Sequence, residues 1–331
     1  MRSAQVLGVL CVLMAASHAN AREFRSSDIY PYDYPTVQAV VQVDKLMRER
    51  SNGKLGITVL GYDDRDSENY TLAQVRSGTL DMARVNIGVL NGIAPATAIP
   101  ALPYLFRSKA HARRVLDGPI GEEILAGLEA QGLIGLAFYD AGPRHFYSSK
   151  RAVRTPADMK GLKVRVQQAD IWAGMIRALG AEPVAIPTDR VYLTLQSGVI
   201  DSAEHNWPSY VSLRHYYVAR YFSMTEHSMA PAVLVFSKRI WETLAPEEQS
   251  IIRGAAKDSV PYMRRLWDDY ETSGRKTVEA AGGEIVTDVD RKAFADSLVP
   301  YYPSVVMQPD MQSIIQRIRD GERTEEAQSP Q

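Results

Sequence analysis

The chain has 331 residues, 45% apolar composition, 8% aromatics and a formal net charge of −1, which describes a globular protein with a sizeable core rather than a disordered one. Near-neutral charge without a long basic block argues against nucleic acid or an anionic membrane as the partner, and no segment is apolar and long enough to span a bilayer. The length predicts roughly two domains.

Residues 1–21 begin with one positive charge, Arg2, continue as an apolar run over 6–16 and close on Ala19-Asn20-Ala21. This is the pattern of a secretory signal with a small-x-small cleavage site. The apolar run is well short of the roughly 20 residues a membrane anchor needs. The only cysteine, Cys11, lies inside this segment behind Leu10, so it does not resemble a lipid-attachment site. The mature chain is expected to carry no thiol, hence no disulfide, cysteine nucleophile or thiolate metal ligand.

Residues 23–29 are short and extended, and Tyr30-Pro31-Tyr32-Asp33-Tyr34-Pro35 is an aromatic, proline-punctuated loop. Thr36 is placed to cap a helix in which Val40, Val43, Leu46 and Met47 keep helical spacing and which stops at Gly53. Leu55, Ile57 and Val59 alternate as a strand. Strand, helix, strand opens a parallel α/β unit. A helix over 70–77 follows, then proline-rich 95–103, helices over about 109–116 and 121–131, and the run 133–139. That run is apolar on successive residues, as a parallel strand covered on both faces would be.

Gly142-Pro143-Arg144 breaks the pattern and a second unit begins. Thr155-Pro156-Ala157-Asp158-Met159 reads as a capped turn. Residues 162–167 alternate strictly, with Leu162, Val164 and Val166 on one face and Lys163, Arg165 and Gln167 on the other. Asp170 is expected to cap a helix ending at Gly180, and Thr188 or Asp189 to cap the next. Residues 246–281 read as one long helical region with Ile252, Met263 and Trp267 in its apolar stripe, bent or restarted at Pro261. At ~1.5 Å per residue such a helix is long enough to brace two lobes. A strand over 284–289 and a polar, disordered tail after about Gly321 close the chain.

Ser77-Gly78-Thr79-Leu80-Asp81-Met82-Ala83-Arg84-Val85-Asn86 returns loosely as Ser197-Gly198-Val199-Ile200-Asp201-Ser202-Ala203-Glu204-His205-Asn206. Each copy reads as helix, glycine stop, short apolar strand, then polar side chains where the strand ends. Open α/β sheets bind ligands at the carboxyl ends of their strands. The echo therefore predicts two similar lobes, one presenting Arg84 and Asn86 and the other Glu204, His205 and Asn206 to a shared cleft.

Arg165 is singled out because a guanidinium pairs bidentately with a carboxylate and a strand aims it rigidly; the alternative is an arginine that faces water. Arg144, in the Gly-Pro-Arg-His-Phe-Tyr turn, has the same two readings. Glu204, His205 and Asn206 have groups suited to sugar hydroxyls, with Trp207 beside a ring face; the alternative pairs Glu204 with a nearby arginine and puts Trp207 in the core. The acidic run Asp63, Asp64, Asp66 and Glu68 lacks the glycine and the final acid of a calcium loop, where Asn69 and Val75 stand instead, and reads as a solvated or ligand-facing loop. His111, His145, His205, His215 and His227 show no helix-borne pair at metal spacing, so no metal and no cofactor is implied. There is no nucleophile elbow, phosphate-cradling loop or dinucleotide fingerprint.

Gly142-Pro143-Arg144-His145-Phe146, then Thr155-Pro156-Ala157-Asp158-Met159-Lys160-Gly161-Leu162-Lys163-Val164-Arg165-Val166, then Leu179-Gly180-Ala181-Glu182-Pro183, then residues 191–204 through Gln196-Ser197-Gly198 together resemble the DctP-type periplasmic solute-binding proteins of tripartite ATP-independent periplasmic (TRAP) transporters. The resemblance covers most of the mature chain. It implies an α/β, two-lobed periplasmic binding protein fold with a long helix bracing both lobes, closing over an organic acid. It implies that Arg165 binds the ligand carboxylate, that Arg144 assists, and that the Glu204 region contributes from the same lobe. Asp33-Tyr34-Pro35-Thr36, Arg84-Val85-Asn86 and Asn206-Trp207-Pro208-Ser209-Tyr210 look like the subgroup that takes hexuronates such as D-glucuronate or D-galacturonate. Tyr34, Glu68 and Trp172 would then face the sugar ring. The chain departs from the family where Glu-Asn-Asn is replaced by Glu204-His205-Asn206, and where Tyr30 stands in place of a histidine.

The expected organisation is a signal peptide over 1–21, one lobe from 22–141 and 230–269, and a second from 142–229 and 270–331 with the C-terminal tail. The expected function is non-catalytic capture of a small organic acid by a periplasmic monomer that hands it to TRAP permease subunits. Three alternatives stand beside it: another carboxylate as ligand, a sensory receptor of the same fold, and a secreted enzyme on acidic sugars. The enzyme would need Glu204 and a second carboxylate facing one bond.

Overall fold

The computed structural model describes residues 21–60 and 67–328, with side chains as far as Gly321. Residues 1–20 of the expected signal, and Asp63, Asp64 and Asp66 of the acidic run, lie outside the described residues. No helix among the described residues is long and apolar enough to cross a membrane.

Strands β1 (Arg22–Ser27), β2 (Leu55–Val59), β3 (Met82–Asn86), β4 (Leu133–Tyr139) and, much later, β10 (Ala232–Ser237) form one sheet in the order β2-β1-β3-β10-β4. Strands β5 (Arg144–Ser148), β6 (Lys163–Val166), β7 (Glu182–Ala185), β8 (Ser202–His205), β9 (Tyr221–Ser228) and β11 (Glu284–Val286) form a second, in the order β11-β9-β5-β8-β6-β7. The chain passes to the second sheet at Asp140–Pro143 and returns just after Ser228. The two repeat copies become β3 and β8, one inside each sheet, each preceded by a helix and a glycine in the left-handed region, Gly78 and Gly198.

β1 runs parallel to β2 across helix Pro35–Arg50, as the strand-helix-strand pattern predicts. The run 133–139 is a correction. β4 is an edge strand antiparallel to β10, not a parallel strand. Its continuous apolarity still has the anticipated cause, because Leu133 and Phe138 enter one core with Ile124, while Ile134 and Tyr139 enter another with Met263 and Trp267. Burial on both faces is written in composition; strand direction is not.

Several boundaries also differ. The first helix starts at Pro35 with Tyr34 at its N-cap, and Thr36 instead donates its hydroxyl to Asp28 at 3.3 Å. Asp170 is the first residue of helix Asp170–Ala178, not a side-chain cap. Glu68 opens helix Glu68–Ser77, capped by Ser67, rather than sitting in a loop. The last strand stops at Val286, and helix Pro309–Gln328 continues past Gly321, where an unstructured tail was expected.

Helix Pro246–Ala280 is continuous through Pro261, which lies on its exposed side. Thirty-five residues span ~52 Å. Met263 and Trp267 pack into the core of the first sheet, whereas Val278 belongs to that of the second. Trp267 Nε1 donates to Glu271 at 2.8 Å. Gly142 (φ 59°) passes so near that a Cβ there would lie 2.3 Å from the Glu271 carboxylate and 2.7 Å from Trp267 Nε1, so only glycine fits where the chain changes sheets. Replacing Trp267 with alanine should lower the unfolding free energy by about 3–5 kcal/mol, read from urea unfolding; a loss under about 1 kcal/mol would show that this side chain is not a brace.

Candidate functional site

The sequence-singled residues converge where strands of both sheets end, but they do different jobs. Arg84, in the middle of β3, lies almost fully buried between Asp28, bound through Nε at 2.7 Å and through Nη2, and Glu68 at 3.3 Å. Burial opposes its charge, but Asp28 and Glu68 outweigh that and raise its pKa. Burial pushes the Glu68 carboxyl up, with Arg84 acting against it. Glu68 also accepts the Asn86 backbone N–H at 2.8 Å. Asn86 and Asn206, the last residues of the two repeat copies, play the same part: each caps the next short helix, accepting from Gly88 N at 2.9 Å and from Ser209 N at 3.0 Å.

Arg144 and Glu204 are both 0% exposed and face each other from β5 and β8. Arg144 Nε and Nη2 donate to the two carboxylate oxygens, the second at 2.8 Å. The other terminal nitrogen, Nη1, has no partner, and the guanidinium carbon stands 5.1 Å from the Trp172 ring centre. Glu204 is thus committed to an ion pair rather than left free for hydroxyls, and Trp207 packs 4.0 Å from Phe222. Those are the alternatives the sequence left open for both residues.

Arg165 is 1% exposed on β6. Its Nε donates to the Ile186 carbonyl at 2.8 Å and its Nη2 to Thr188 Oγ1 at 3.2 Å, while Nη1 is unpartnered. It has no ion pair among the described residues. Burial lowers its pKa first, and Arg144 adds to that. Arg165 lines a small cavity together with Glu68, Asn69, Gln167 and Thr188.

Trp172 is wholly buried on helix Asp170–Ala178, with Nε1 unpartnered. It abuts the other half of the molecule: a Cβ on Gly88 would lie 2.6 Å from that nitrogen. Gln167 Oε1 is a buried acceptor without a partner. Gln167 was not singled out from the sequence, although the alternation of 162–167 puts it on Arg165's face. Tyr34 and His205, in contrast, are satisfied within the protein: Tyr34 OH meets Ser209 Oγ at 2.9 Å, and His205 Nε2 meets Tyr30 OH at 3.1 Å.

The unspent buried polar atoms include donors on Arg165, Arg144 and Trp172 and an acceptor on Gln167. One guanidinium is paired with Glu204 and the other makes no ion pair among the described residues. That is the chemistry of a receptor for a single anionic group with hydroxyls around it. No group of described residues has the makings of a metal site.

A family model described as "DctP: Bacterial extracellular solute-binding protein, family 7" matches residues 26–308. The structure is similar to a TRAP periplasmic solute-binding protein from Bradyrhizobium sp. BTAi1 in complex with α/β-D-galacturonate, at 49% identity and a TM-score of 0.88, over 90% of this chain and 100% of that one. It is also similar to one from Chromohalobacter salexigens with bound D-glucuronate, at 34% identity and a TM-score of 0.87, over 90% and 99%. Among curated proteins, the 2,3-diketo-L-gulonate-binding periplasmic protein YiaO of Escherichia coli is 32% identical over 260 residues, 78% of this chain and 79% of that protein.

The Arg144–Glu204 pair generates a prediction. Burial pushes the Glu204 carboxyl up, but Arg144 and His227 more than offset it and hold it at about 2, against about 4.3 in the unfolded chain. A depressed carboxyl contributes stability that is whole above the unfolded value and disappears as pH falls toward 2. Glu204→Gln should cost roughly 3–5 kcal/mol at neutral pH by leaving Arg144 buried without a carboxylate. It should also flatten the decline of urea-unfolding stability between about pH 4.3 and 2; an unchanged acid limb would remove the pair as its source.

Proposed function

The chain belongs to the DctP family of bacterial extracellular solute-binding proteins, and from that premise we propose that it captures a hexuronate, D-galacturonate or D-glucuronate, between its two lobes and delivers it to a TRAP permease. Proteins of this family are periplasmic, bind small organic acids and work with a membrane permease. In this reading residues 1–21 are removed on export, residues 22–141 with 230–269 and residues 142–229 with 270–331 are the two lobes, and the receptor works as a monomer.

The observation that carries the reading is Arg165, a fully buried guanidinium with one unpartnered nitrogen and, among the described residues, no ion pair. Burying an ion without a counter-ion costs several kcal/mol, and a ligand carboxylate removes that cost by bidentate pairing. Arg144 Nη1 and Trp172 Nε1 supply further donors, and Gln167 an acceptor for a hydroxyl. The hexuronates bound by the Bradyrhizobium and Chromohalobacter proteins have this combination of one carboxylate and several hydroxyls.

Charge also argues for one carboxylate rather than two. Glu68 lines the cavity that Arg165 lines, and with Asp28 it leaves the Arg84 side with no spare positive charge. A second carboxylate would enter against it. The ligand is held and not cut, because Glu204 and Glu68 are each engaged by an arginine and neither stands free as a general acid or base.

Thermal shift tests the proposal. A ligand that binds only the folded protein stabilises it by about 4 kcal/mol at a thousand times its Kd. D-galacturonate or D-glucuronate should raise the melting temperature while succinate does not; 2,3-diketo-L-gulonate belongs in the same screen because a relative's name carries it. Arg165→Ala should melt cooperatively and lose the ligand shift. No shift with any sugar acid would sink the proposal.

A further inference from the structure

Tyr30 and His205 belong to different halves of the molecule and are bonded to each other. Tyr30 stands between β1 and helix Pro35–Arg50, while His205 ends β8. The Tyr30 hydroxyl is 3.1 Å from His205 Nε2 and 2.9 Å from Ser209 Oγ, and the Tyr34 hydroxyl reaches the same Oγ at 2.9 Å. All four side chains are buried. Tyr30 is held rigidly: its N–H donates to Asp28 at 3.0 Å, its ring stacks on Tyr34 at 3.9 Å, and the Arg84 guanidinium lies over it at 4.9 Å.

None of these four residues is among those with buried unpartnered polar atoms, unlike Arg165, Arg144, Trp172 and Gln167. Their hydrogen bonds are used between the lobes, not kept for a ligand. The protons can be placed. Asn206 N–H donates to His205 Nδ1 at 3.0 Å, so Nδ1 is an acceptor and the neutral ring carries its proton on Nε2. Nε2–H then donates to the Tyr30 oxygen, and the Tyr30 hydroxyl donates to Ser209 Oγ. A second ring proton on Nδ1 would point at the Asn206 N–H and break the arrangement.

We infer that Tyr30 and His205 form a latch across the cleft, closed only with His205 as the neutral Nε2–H form, which sets how long a bound acid is retained rather than which acid is bound. The inference rests on the reading of the cleft as a ligand site that closes.

The groups facing His205 agree with it. Tyr30 comes from the loop, Arg84 from β3, Arg144 from β5, Arg165 from β6 and His215 from the turn after helix Trp207–Ser212, with His145 its register partner on β5. No carboxylate among those groups favours a second proton. Burial first, then Arg144 and Arg165, hold the ring's pKa well below its ordinary range. Opening the cleft takes Tyr30 and Arg84 away from the ring and lets water reach it, so its pKa rises, while Arg144, Arg165 and His215 stay beside it. Closure therefore weakens as pH falls through the range in which the opened form takes up a proton.

The test measures D-galacturonate affinity and dissociation rate for wild type, Tyr30→Phe and His205→Gln at pH 7.5 and 5.5. Phenylalanine keeps the ring on Tyr34 and loses only the hydroxyl. Wild type should lose affinity at pH 5.5 relative to pH 7.5. Tyr30→Phe should release the ligand about fivefold faster at pH 7.5, the worth of roughly one hydrogen bond, with its preference between galacturonate and glucuronate unchanged. His205→Gln should lose most of the pH dependence. Wild-type dissociation in Tyr30→Phe, or wild-type pH dependence in His205→Gln, overturns the latch alone. Failure of the wild type to bind either uronate overturns the proposed function and the latch together.

Discussion

Arg165 is fastened by its Nε to a backbone carbonyl and by its Nη2 to a threonine hydroxyl, and it makes no ion pair among the described residues. Those two neutral partners orient the fork without satisfying it. The surrounding arrangement follows from that choice. Glu204, the buried carboxylate that might have paired with Arg165, is taken by Arg144. Asp28 and Glu68, the acids of the opposite lobe, are taken by Arg84. Among the described residues, Arg84 and Arg144 have their counter-ions and Arg165 does not, which is the demand that the proposed ligand carboxylate would meet.

The internal repeat is tied into the protein at both of its copies. Both copies end in an asparagine that caps the following helix, and both carry a charged residue two positions earlier, Arg84 or Glu204, that is neutralised inside its own lobe. The sign reversal between the copies reads from sequence as two faces complementary to one ligand. In the structure it reflects two internal ion pairs of opposite polarity. The unspent donors and acceptor come from Arg144, Arg165, Gln167 and Trp172, all outside the repeat.

Much of the fold was legible because its signals are local. Helical spacing, the alternation of 162–167 and the glycine stops before β3 and β8 lead to the observed elements within a few residues. What was not legible depends on distant partners. The direction of β4 is set by β10, nearly a hundred residues away in sequence. The roles of Glu204 and Arg84 depend on Arg144, Asp28 and Glu68, none of which is their neighbour along the chain. Arg165 and Gln167 read as either solvent-facing or ligand-facing, because period-two alternation assigns a face but does not say what covers it. The resemblance to the DctP family supplied that missing partner for Arg165 as an expectation. It could not supply one for Tyr30 and His205, where this chain departs from the family pattern.

The two sides of the molecule carry different kinds of polar link, and the proposed closing draws on the difference. Where the chain changes sheets, Lys109 binds Asp268 and Glu271 at 2.7 and 2.8 Å, Arg264 joins Asp117 at 2.8 Å to Asp140 at 3.2 Å, and Arg113 bridges Asp140 and Asp268. Together they tie helix Lys109–Asp117 to the long helix beside the buried Trp267. Across the cleft, the polar links around the site include the Tyr30–His205 and Tyr34–Ser209 hydrogen bonds and a 3.5 Å approach of Asn69 to the Gln168 carbonyl. Single neutral hydrogen bonds contribute about 1 kcal/mol each once exchange with water is counted, so such links can break without disturbing the core. Apolar packing also crosses there, since Trp172 abuts Gly88, so the contrast is between charged links on one side and neutral ones on the other. In the proposed function, the buried charge of Arg165 is what gives a ligand carboxylate a different interaction with the open and closed forms and so lets it shift their balance.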